Sequence, residues 1–152
     1  MKFPLDKGTY LIVFNYIKSR EVRVKSRKFF LNSGMYCYVG SAFGQGGLKT
    51  RIERHLKRRK RKHWHLDFLS VSPFFKPFIV YCFSNLKVEC EIAGLFLEKF
   101  YPVNGFGASD CSCLSHLFFI HDGKSEKIDR IVMEFSFEKF DLMGEKWTLK
   151  NF

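Results

Sequence analysis

The sequence contains no long hydrophobic run. Its longest apolar stretches, such as Tyr10–Phe14 and Phe78–Phe83, are far shorter than the roughly 18 residues that a membrane-spanning helix needs. No segment has the hydrophobic region and small-residue cleavage site of a secretory signal. We therefore expect a cytoplasmic protein with no membrane partner.

Cysteine is also scarce, and its number is odd. The five residues are Cys37, Cys82, Cys90, Cys111 and Cys113, so complete pairing in disulfides is excluded. Without an export signal, reduced thiols are the simpler interpretation.

Acidic residues are few, with 15 Asp and Glu against 26 Lys and Arg, which gives a formal net charge of +11. The excess is concentrated in residues 49–62, which contain nine Lys and Arg and only one acid, Glu53. A solvated helix face normally mixes both signs, whereas this segment repels itself unless a polyanion neutralises it. The pattern favours nucleic-acid binding, with a solubility or nuclear-import segment as the alternative.

Chain length and apolar content indicate the class of protein. A chain of 152 residues with 46% hydrophobic residues is one domain with a core, and intrinsic disorder is excluded. Hydrophobic patterning predicts four strands, at 9–17, 21–25, 35–39 and 78–83, and a fifth at 117–120. It predicts a helix from Leu48, a second helix over 87–100 with an N-cap at Ser84-Asn85, and a last helix near Ile128. The fold class is α+β, a small antiparallel sheet flanked by helices.

Both long helices carry polar residues beside their buried stripes. On the first helix, Arg51 and His55 lie next to the apolar Leu48, Ile52 and Leu56 positions. On the second helix, Glu89 aligns with apolar positions and faces the sheet, whereas Glu91 faces water. A carboxylate at the apolar edge of a helix is either paired with a cation, protonated or bound to a metal, so a salt bridge with an arginine is an alternative for Glu89.

Two tripeptides make the sequence recognisable. Gly8-Thr9-Tyr10 and Tyr38-Val39-Gly40, followed by Arg51 and later by Glu89, resemble the motifs of the GIY-YIG nuclease superfamily. Further residues resemble one branch, found as stand-alone archaeal proteins or fused to endonuclease III-like glycosylases: His63-Trp64-His65-Leu66-Asp67, Glu89-Cys90 and the loop from Gly105 to Phe118. The resemblance covers roughly 8–119, and 120–152 is a C-terminal extension. The 28 residues from Tyr10 to Tyr38 require an inserted hairpin over 21–32.

The resemblance implies a metal-dependent endonuclease with a three-stranded antiparallel core sheet. Its catalytic residues are Tyr10, Tyr38, Arg51, His55 and Glu89. Tyr10 activates or positions the attacking water, provided that a cation such as Arg51 lowers its pKa. Arg51 holds the scissile phosphate and His55 assists proton transfer. Glu89 binds one Mg²⁺ or Mn²⁺.

Other residues are expected to support this site or to grip the substrate. The supporting residues are Gly40, His63, His65, Ser109, Asp110 and His116. The nucleic-acid contacts are expected from Lys49, Arg54, Lys57, Arg58, Arg59, Lys60, Arg61 and Lys62. The expected partner is DNA, and the fused relatives suggest a role in DNA repair. The alternative function is a non-catalytic nucleic-acid-binding module.

Three other groups of residues allow different chemistry. Cys111-x-Cys113-x₂-His116 offers three zinc ligands and would need a fourth from Asp110, Cys90 or His121; we expect structural thiols there and no zinc. His63, His65 and Asp67 allow a second metal site, although a hydrogen-bonded polar edge is the simpler expectation. A cysteine protease is not excluded by residue types alone, but no local signature supports it.

Overall fold

The computed structural model describes residues 2–108 and 111–143. Six strands form one sheet in the order β6-β7-β4-β1-β5-β8, and all its neighbouring strands are antiparallel. Its strands are β1 (Gly8–Tyr16), β4 (Gly34–Ala42), β5 (Phe75–Ser84), β6 (Tyr101–Pro102), β7 (Leu117–Phe119) and β8 (Glu138–Asp141). The inserted hairpin, β2 (Arg20–Val24) and β3 (Arg27–Leu31), is a separate two-stranded sheet. The α+β class is confirmed.

Four helices flank the sheet: α1 (Gly47–Leu56), α2 (Asp67–Ser70), α3 (Glu89–Leu97) and α4 (Glu126–Ile131). Among the described residues, no helix has the length and hydrophobicity that crossing a bilayer requires. The bounds of α1 follow from its sequence, because Leu48, Ile52 and Leu56 form one buried stripe and the dense positive charge begins at Lys57.

Strand β1 is the centre of the sheet and separates two faces. Tyr10, Ile12 and Phe14 pack beneath α1, and we call this side the α1 face. Leu11 and Val13 pack with α3 and α4 on the opposite side, the α3 face. Successive side chains of a strand point to opposite faces, so a strand that is buried on both sides reads as one continuous apolar run.

Several details differ from the sequence-based predictions. The described sheet has six strands where the resemblance implies a core of three. Strand β7 corresponds to the strand predicted over 117–120, whereas the edge strands β6 and β8 were not predicted. Strand β5 begins at Phe75, earlier than the strand predicted over 78–83, and it includes Pro77, which lies opposite Phe14 beside an irregularity in the strand register. The predicted N-cap at Ser84-Asn85 is wrong. Helix α3 begins at Glu89, and the hydroxyl of Thr9 on β1 accepts the backbone N–H of Val88 there (3.0 Å).

Residues 121–143, the described part of the C-terminal extension, pack against the rest of the fold. Ile128 and Val132 of the α4 region are fully buried on the α3 face. Strand β8 pairs with β5, with Val80 opposite Phe140. Residues 126–141 thus contribute to the core and extend the sheet.

Candidate active site

A cleft of about 360 Å³ opens where β1 and β4 meet the starts of α1 and α3. It is bounded on its other sides by residues 63–65 and by the loop that follows β6. Eight of the eleven residues predicted to be catalytic or supporting line it: Tyr10, Tyr38, Gly40, Arg51, His63, His65, Glu89 and His116. Ser109 and Asp110 lie outside the described residues.

Tyr10 and Gly40 are direct partners across the β1–β4 pair. A Cβ atom built on Gly40 would overlap the ring and hydroxyl of Tyr10. The glycine of the second tripeptide is therefore required by space, because the Tyr10 side chain crosses over it to reach the cleft. Tyr38, two residues earlier on β4, places its ring 6.3 Å from that of Tyr10.

Behind Tyr10, two buried polar residues continue inward from the cleft. The hydroxyl of Tyr10 lies 2.6 Å from Nε2 of His55, which is completely buried on α1. The other ring nitrogen of His55, Nδ1, faces Oδ1 of Asp67 at 3.3 Å. His55 does not line the cleft but stands one layer behind it, so Tyr10, His55 and Asp67 form a chain of three polar groups.

The protonation states of this chain follow from burial. Burial lowers the pKa of His55 from 6.5 to about 4, although Asp67 acts in the opposite direction. A neutral imidazole beside a carboxylate carries its proton on Nδ1, so Nε2 accepts the hydrogen bond that Tyr10 donates. Burial also raises the pKa of the Tyr10 hydroxyl well above its ordinary value; Tyr38 adds to this effect, and Arg51 only partly opposes it. Arg51 thus acts on the pKa of Tyr10 in the expected direction, but its effect is smaller than that of burial.

Asp67 is contacted from several sides behind the cleft. Burial alone would raise the pKa of its carboxyl, but the facing His55 ring and hydrogen bonds from the backbone N–H groups of His63 and Trp64 hold that pKa well below its usual range. Arg54 also donates to Oδ2 (3.2 Å). These contacts turn Asp67 away from His63 and His65, which contradicts a metal site built from those three residues.

Arg51 is fixed from two sides. Its Nη1 donates to the backbone carbonyl of Ser41 (2.8 Å), and its guanidinium carbon lies 3.9 Å from the centre of a Trp64 ring. A planar guanidinium held by a hydrogen bond and by stacking is pre-oriented toward the cleft. Trp64 is therefore a support for Arg51 and does not belong to the apolar core.

Glu89 is half-buried and lines the cleft from the first turn of α3, whereas Glu91 is exposed, as the helical pattern predicted. The same cleft contains Lys25, from the tip of the inserted hairpin, and Lys87. Together with Arg51, three cations surround one carboxylate. The electrostatics of the cleft therefore favour an anionic ligand.

The cations of the basic segment 49–62 differ in their exposure. Five cations lie beyond the end of α1 and are exposed: Lys57, Arg58, Arg59, Arg61 and Lys62. Lys60 is turned inward instead: its side chain is only 3% exposed, and its Nζ donates to the backbone carbonyls of Arg54 and His55 and lies 3.4 Å from Oδ1 of Asp67. Lys60 is thus an internal partner of Asp67, not the surface contact predicted for it. Arg54 also contacts Asp67, but 32% of its side chain is exposed. Lys49 forms an ion pair with Glu53 (2.7 Å) on α1.

At the rim of the cleft, a second cluster combines residues from α3 and the loop before β7. The ligand atoms of Cys90, Cys111, Cys113 and His116 all lie within 4.8 Å of one another, so this group could hold a metal ion. Cys90 supplies the fourth ligand that the Cys-x-Cys-x₂-His pattern lacks. Structural thiols without zinc were expected here, whereas the arrangement also allows a metal site.

The sequence interpretation missed two residues of the site and the role of a third. It places Asp67 in a hydrogen-bonded polar edge or a metal site with His63 and His65, but not beside His55, although a single acid among the apolar neighbours Leu66, Phe68 and Leu69 is a signal for a buried, paired carboxylate. Lys25 and Lys87 had no signal in the sequence, because their approach to the cleft depends on how the hairpin and the β5–α3 turn fold.

Comparison with known proteins adds one finding. A family model described as Domain of unknown function DUF123 matches residues 9–137, which is most of the chain and includes every described residue of the cleft. No curated protein and no solved structure matches the chain.

Proposed function

The chain belongs to the DUF123 family, and we propose that it is a metal-dependent endonuclease of GIY-YIG type that hydrolyses phosphodiester bonds in DNA. The observation that carries this proposal is the convergence of Tyr10, Tyr38, Arg51 and Glu89 on one cleft. These residues come from β1, β4, α1 and α3, and they are the ones that the sequence motifs single out without any knowledge of geometry.

The arrangement of the motifs supports the same proposal. The two tripeptides lie on neighbouring antiparallel strands, with Tyr10 opposite Gly40. The arginine helix α1 follows β4 directly, and the glutamate helix α3 follows β5. This is the order of elements that the resemblance implies, with the hairpin inserted between the motif strands.

Tyr10, His55 and Asp67 provide a path for a proton. A water molecule that attacks phosphorus must lose a proton, and the buried Tyr10 hydroxyl does not ionise alone at neutral pH because burial raises its pKa. As the Tyr10 oxygen accepts the water proton, it passes its own proton to Nε2 of His55. The imidazolium that results lies beside the Asp67 carboxylate, which stabilises its charge.

Arg51 stabilises the charge that develops on the phosphate oxygens. Its contacts with the Ser41 carbonyl and Trp64 restrict its motion before the substrate arrives. A donor that is already oriented loses little entropy when the transition state forms. Lys25 and Lys87 add positive charge to the same cleft and favour entry of the phosphate backbone.

The residues of the cleft fit one hard divalent cation. Mg²⁺ and Mn²⁺ prefer oxygen ligands and are often bound by one carboxylate with waters and substrate phosphates, so Glu89 is the residue that would hold the ion. When bound, the ion polarises the phosphate and stabilises the leaving oxygen. The soft Cys and His ligands at the rim do not suit this ion.

Cleavage assays on the whole chain test the proposal. Labelled single-stranded, duplex, flap and branched DNA, and RNA, are incubated with Mg²⁺ or Mn²⁺. We expect cleavage of DNA by the wild type and its loss in Glu89→Gln, because that variant removes the only carboxylate among the cleft-lining residues described. The matched control is Glu91→Gln, two residues along the same helix and exposed.

The outcomes separate the two functions that the sequence allowed. Cleavage that persists in Glu89→Gln contradicts the metal role of that residue. Tight binding without cleavage of any substrate by the wild type contradicts the nuclease and supports the non-catalytic nucleic-acid-binding module, for which the exposed cations after α1 suffice.

A further inference from the structure

We propose that Cys90, Cys111, Cys113 and His116 bind one structural zinc ion, which ties the loop before β7 to the first turn of α3. The inference concerns residues that the proposed hydrolysis does not use, and it does not rest on that function.

The positions of the four side chains suit a tetrahedral site. Sγ of Cys111 lies 3.4 Å from Nε2 of His116. Tetrahedral zinc, with Zn–S near 2.3 Å and Zn–N near 2.0–2.1 Å, separates a sulfur from a nitrogen ligand by about 3.6 Å. All four ligand atoms lie within 4.8 Å of one another, so small adjustments bring them to one ion.

The chemistry of the ligands selects the ion. Three thiolates and one imidazole form a soft donor set that suits Zn²⁺ and that Mg²⁺ and Ca²⁺ disfavour. Four protein ligands complete a tetrahedral shell and leave no position for substrate. The ion is therefore structural, in contrast to the hard cation proposed at Glu89.

Ordinary packing does not explain the cluster. Cys90 is exposed and Cys111 and Cys113 are partly exposed, whereas Cys37 and Cys82 are buried in the sheet. A disulfide would join two of the thiols, but all five are free in the structure, and a disulfide gives no reason for His116 to lie against Cys111.

The backbone of this loop shows what the ion would add. Two backbone hydrogen bonds join the ends of the loop. The Val103 N–H donates to the Leu117 carbonyl (2.8 Å), and the Gly105 N–H donates to the Leu114 carbonyl (2.7 Å). Cys111 and Cys113 lie beyond this stem, at the tip, where α3 approaches. Zinc would lock the tip to Cys90, the residue directly after Glu89, and would hold His116 at the wall of the cleft.

Metal analysis of the purified full-length protein, prepared with reduced thiols, tests the site. We expect about one zinc per chain in the wild type and less than about a tenth of that in Cys90→Ala and Cys113→Ala. The matched control is Cys82→Ala, which removes a thiol from β5 outside the cluster and should keep the zinc.

A second measurement uses the wild type alone, so it does not depend on whether a variant folds. Replacement of the metal by Co²⁺ should give thiolate-to-cobalt charge-transfer bands and the intense visible bands of a tetrahedral centre. Chelation should lower the melting temperature by at least ~8 °C, since the ion binds only the folded chain.

Each contrary outcome overturns the proposal. A wild type that binds less than about a fifth of one zinc per chain in the presence of added zinc rules out the site. The site is equally ruled out if Cys90→Ala and Cys113→Ala keep the full zinc content, or if Cys82→Ala loses zinc to the same extent as they do. None of these results bears on DNA cleavage, because metal content is measured without substrate.

Discussion

The α1 face and the α3 face of the central sheet are both largely apolar, but among the residues described only the α1 face contains a chain of three polar groups that are all buried. On the α3 face, the buried Tyr81 donates to Asp129, which is partly exposed. Beneath α1, Tyr10 leads to the fully buried His55 and Asp67. On the α3 face, Leu11 and Val13 pack in one apolar cluster with Ile92 and Phe96. Successive side chains of β1 point to opposite faces, so neighbouring residues have different roles. Tyr10 belongs to the candidate site, whereas Leu11 belongs to the apolar core.

Tyr10→Phe is the sharpest test of this separation and has the largest expected effect. It removes one hydroxyl on the α1 face, so DNA cleavage should fall by roughly 10³-fold because the proton path to His55 is lost. The melting temperature should fall by only a few degrees, because Nε2 of the buried His55 loses its donor while the packing of the ring is kept. Cleavage rates and thermal melts of the variant provide the measurement.

Tyr16→Phe is its control, because Tyr16 is also a buried tyrosine of β1 but contacts Arg20 at the other end of the strand. If the two variants lose cleavage equally, the hydroxyl of Tyr10 has no special role.

Leu11→Ala, one residue along the strand, tests the opposite face. Leu11 is completely buried, so truncation should lower the free energy of unfolding by ~3–4 kcal/mol through lost burial and a cavity. The fraction that remains folded should cleave normally. Urea unfolding measures the effect, and Leu5→Ala, at a position that is 77% exposed, is the control. A loss below ~1 kcal/mol would contradict the packing assigned to this face.

The third prediction concerns pH and isolates the buried polar chain. The pKa of His55 is about 4 in the folded chain against 6.5 when exposed, so below pH 6.5 the unfolded chain binds a proton that the folded chain does not. Stability should therefore be full above pH 6.5 and fall by roughly 2–3 kcal/mol as the pH drops to 4. Urea unfolding of His55→Gln should lack this loss, whereas the exposed His63→Gln should keep it. Equal pH profiles of the two variants would contradict the assignment.

The smallest expected effect concerns the affinity for DNA and its dependence on salt. Replacement of the exposed Lys57, Arg58 and Arg59 by Ala should weaken DNA binding roughly tenfold and reduce the slope of log K against log salt by about 2–3. Three cations of the α4 region, Lys124, Lys127 and Arg130, form the matched control on the α3 face. Salt titrations of binding should leave that control unchanged. An unchanged slope in the first variant would remove the exposed run from the DNA interface.

Much of the fold follows from local patterns in the sequence. The bounds of β1, β4 and α1 lie within a few residues of those predicted, because continuous apolar runs and an i, i+4 stripe specify them. The start of α3 cannot be predicted from the residues that adjoin it in the sequence. Asn85 adopts a left-handed turn with φ of 62°, and the partner for the Val88 N–H comes from Thr9, far away in the chain. Edge strands such as β8 are too short for a periodic signal.

The candidate site divides in a similar way. Tyr10, Arg51 and Glu89 are identified by their residue type and their place in the motifs, and the structure brings them to one cleft. The inward turn of Lys60 is not visible in the sequence, because it depends on the buried carboxylate of Asp67. Likewise, the approach of Cys90 to the Cys111 loop depends on how α3 packs against the sheet. Contacts between distant segments decide what local patterns leave open.

The close approach of Tyr10 to Gly40 has a consequence for how relatives of this chain diverge. Because a Cβ at position 40 would occupy the volume of the Tyr10 ring, a substitution at one of these two positions constrains the residue at the other. A larger residue at position 40 is compatible only with a smaller residue at position 10, and a chain with such a pair would lack the Tyr10 hydroxyl. Substitutions at these two positions should therefore be correlated, and a lineage that changes one of them has changed its chemistry.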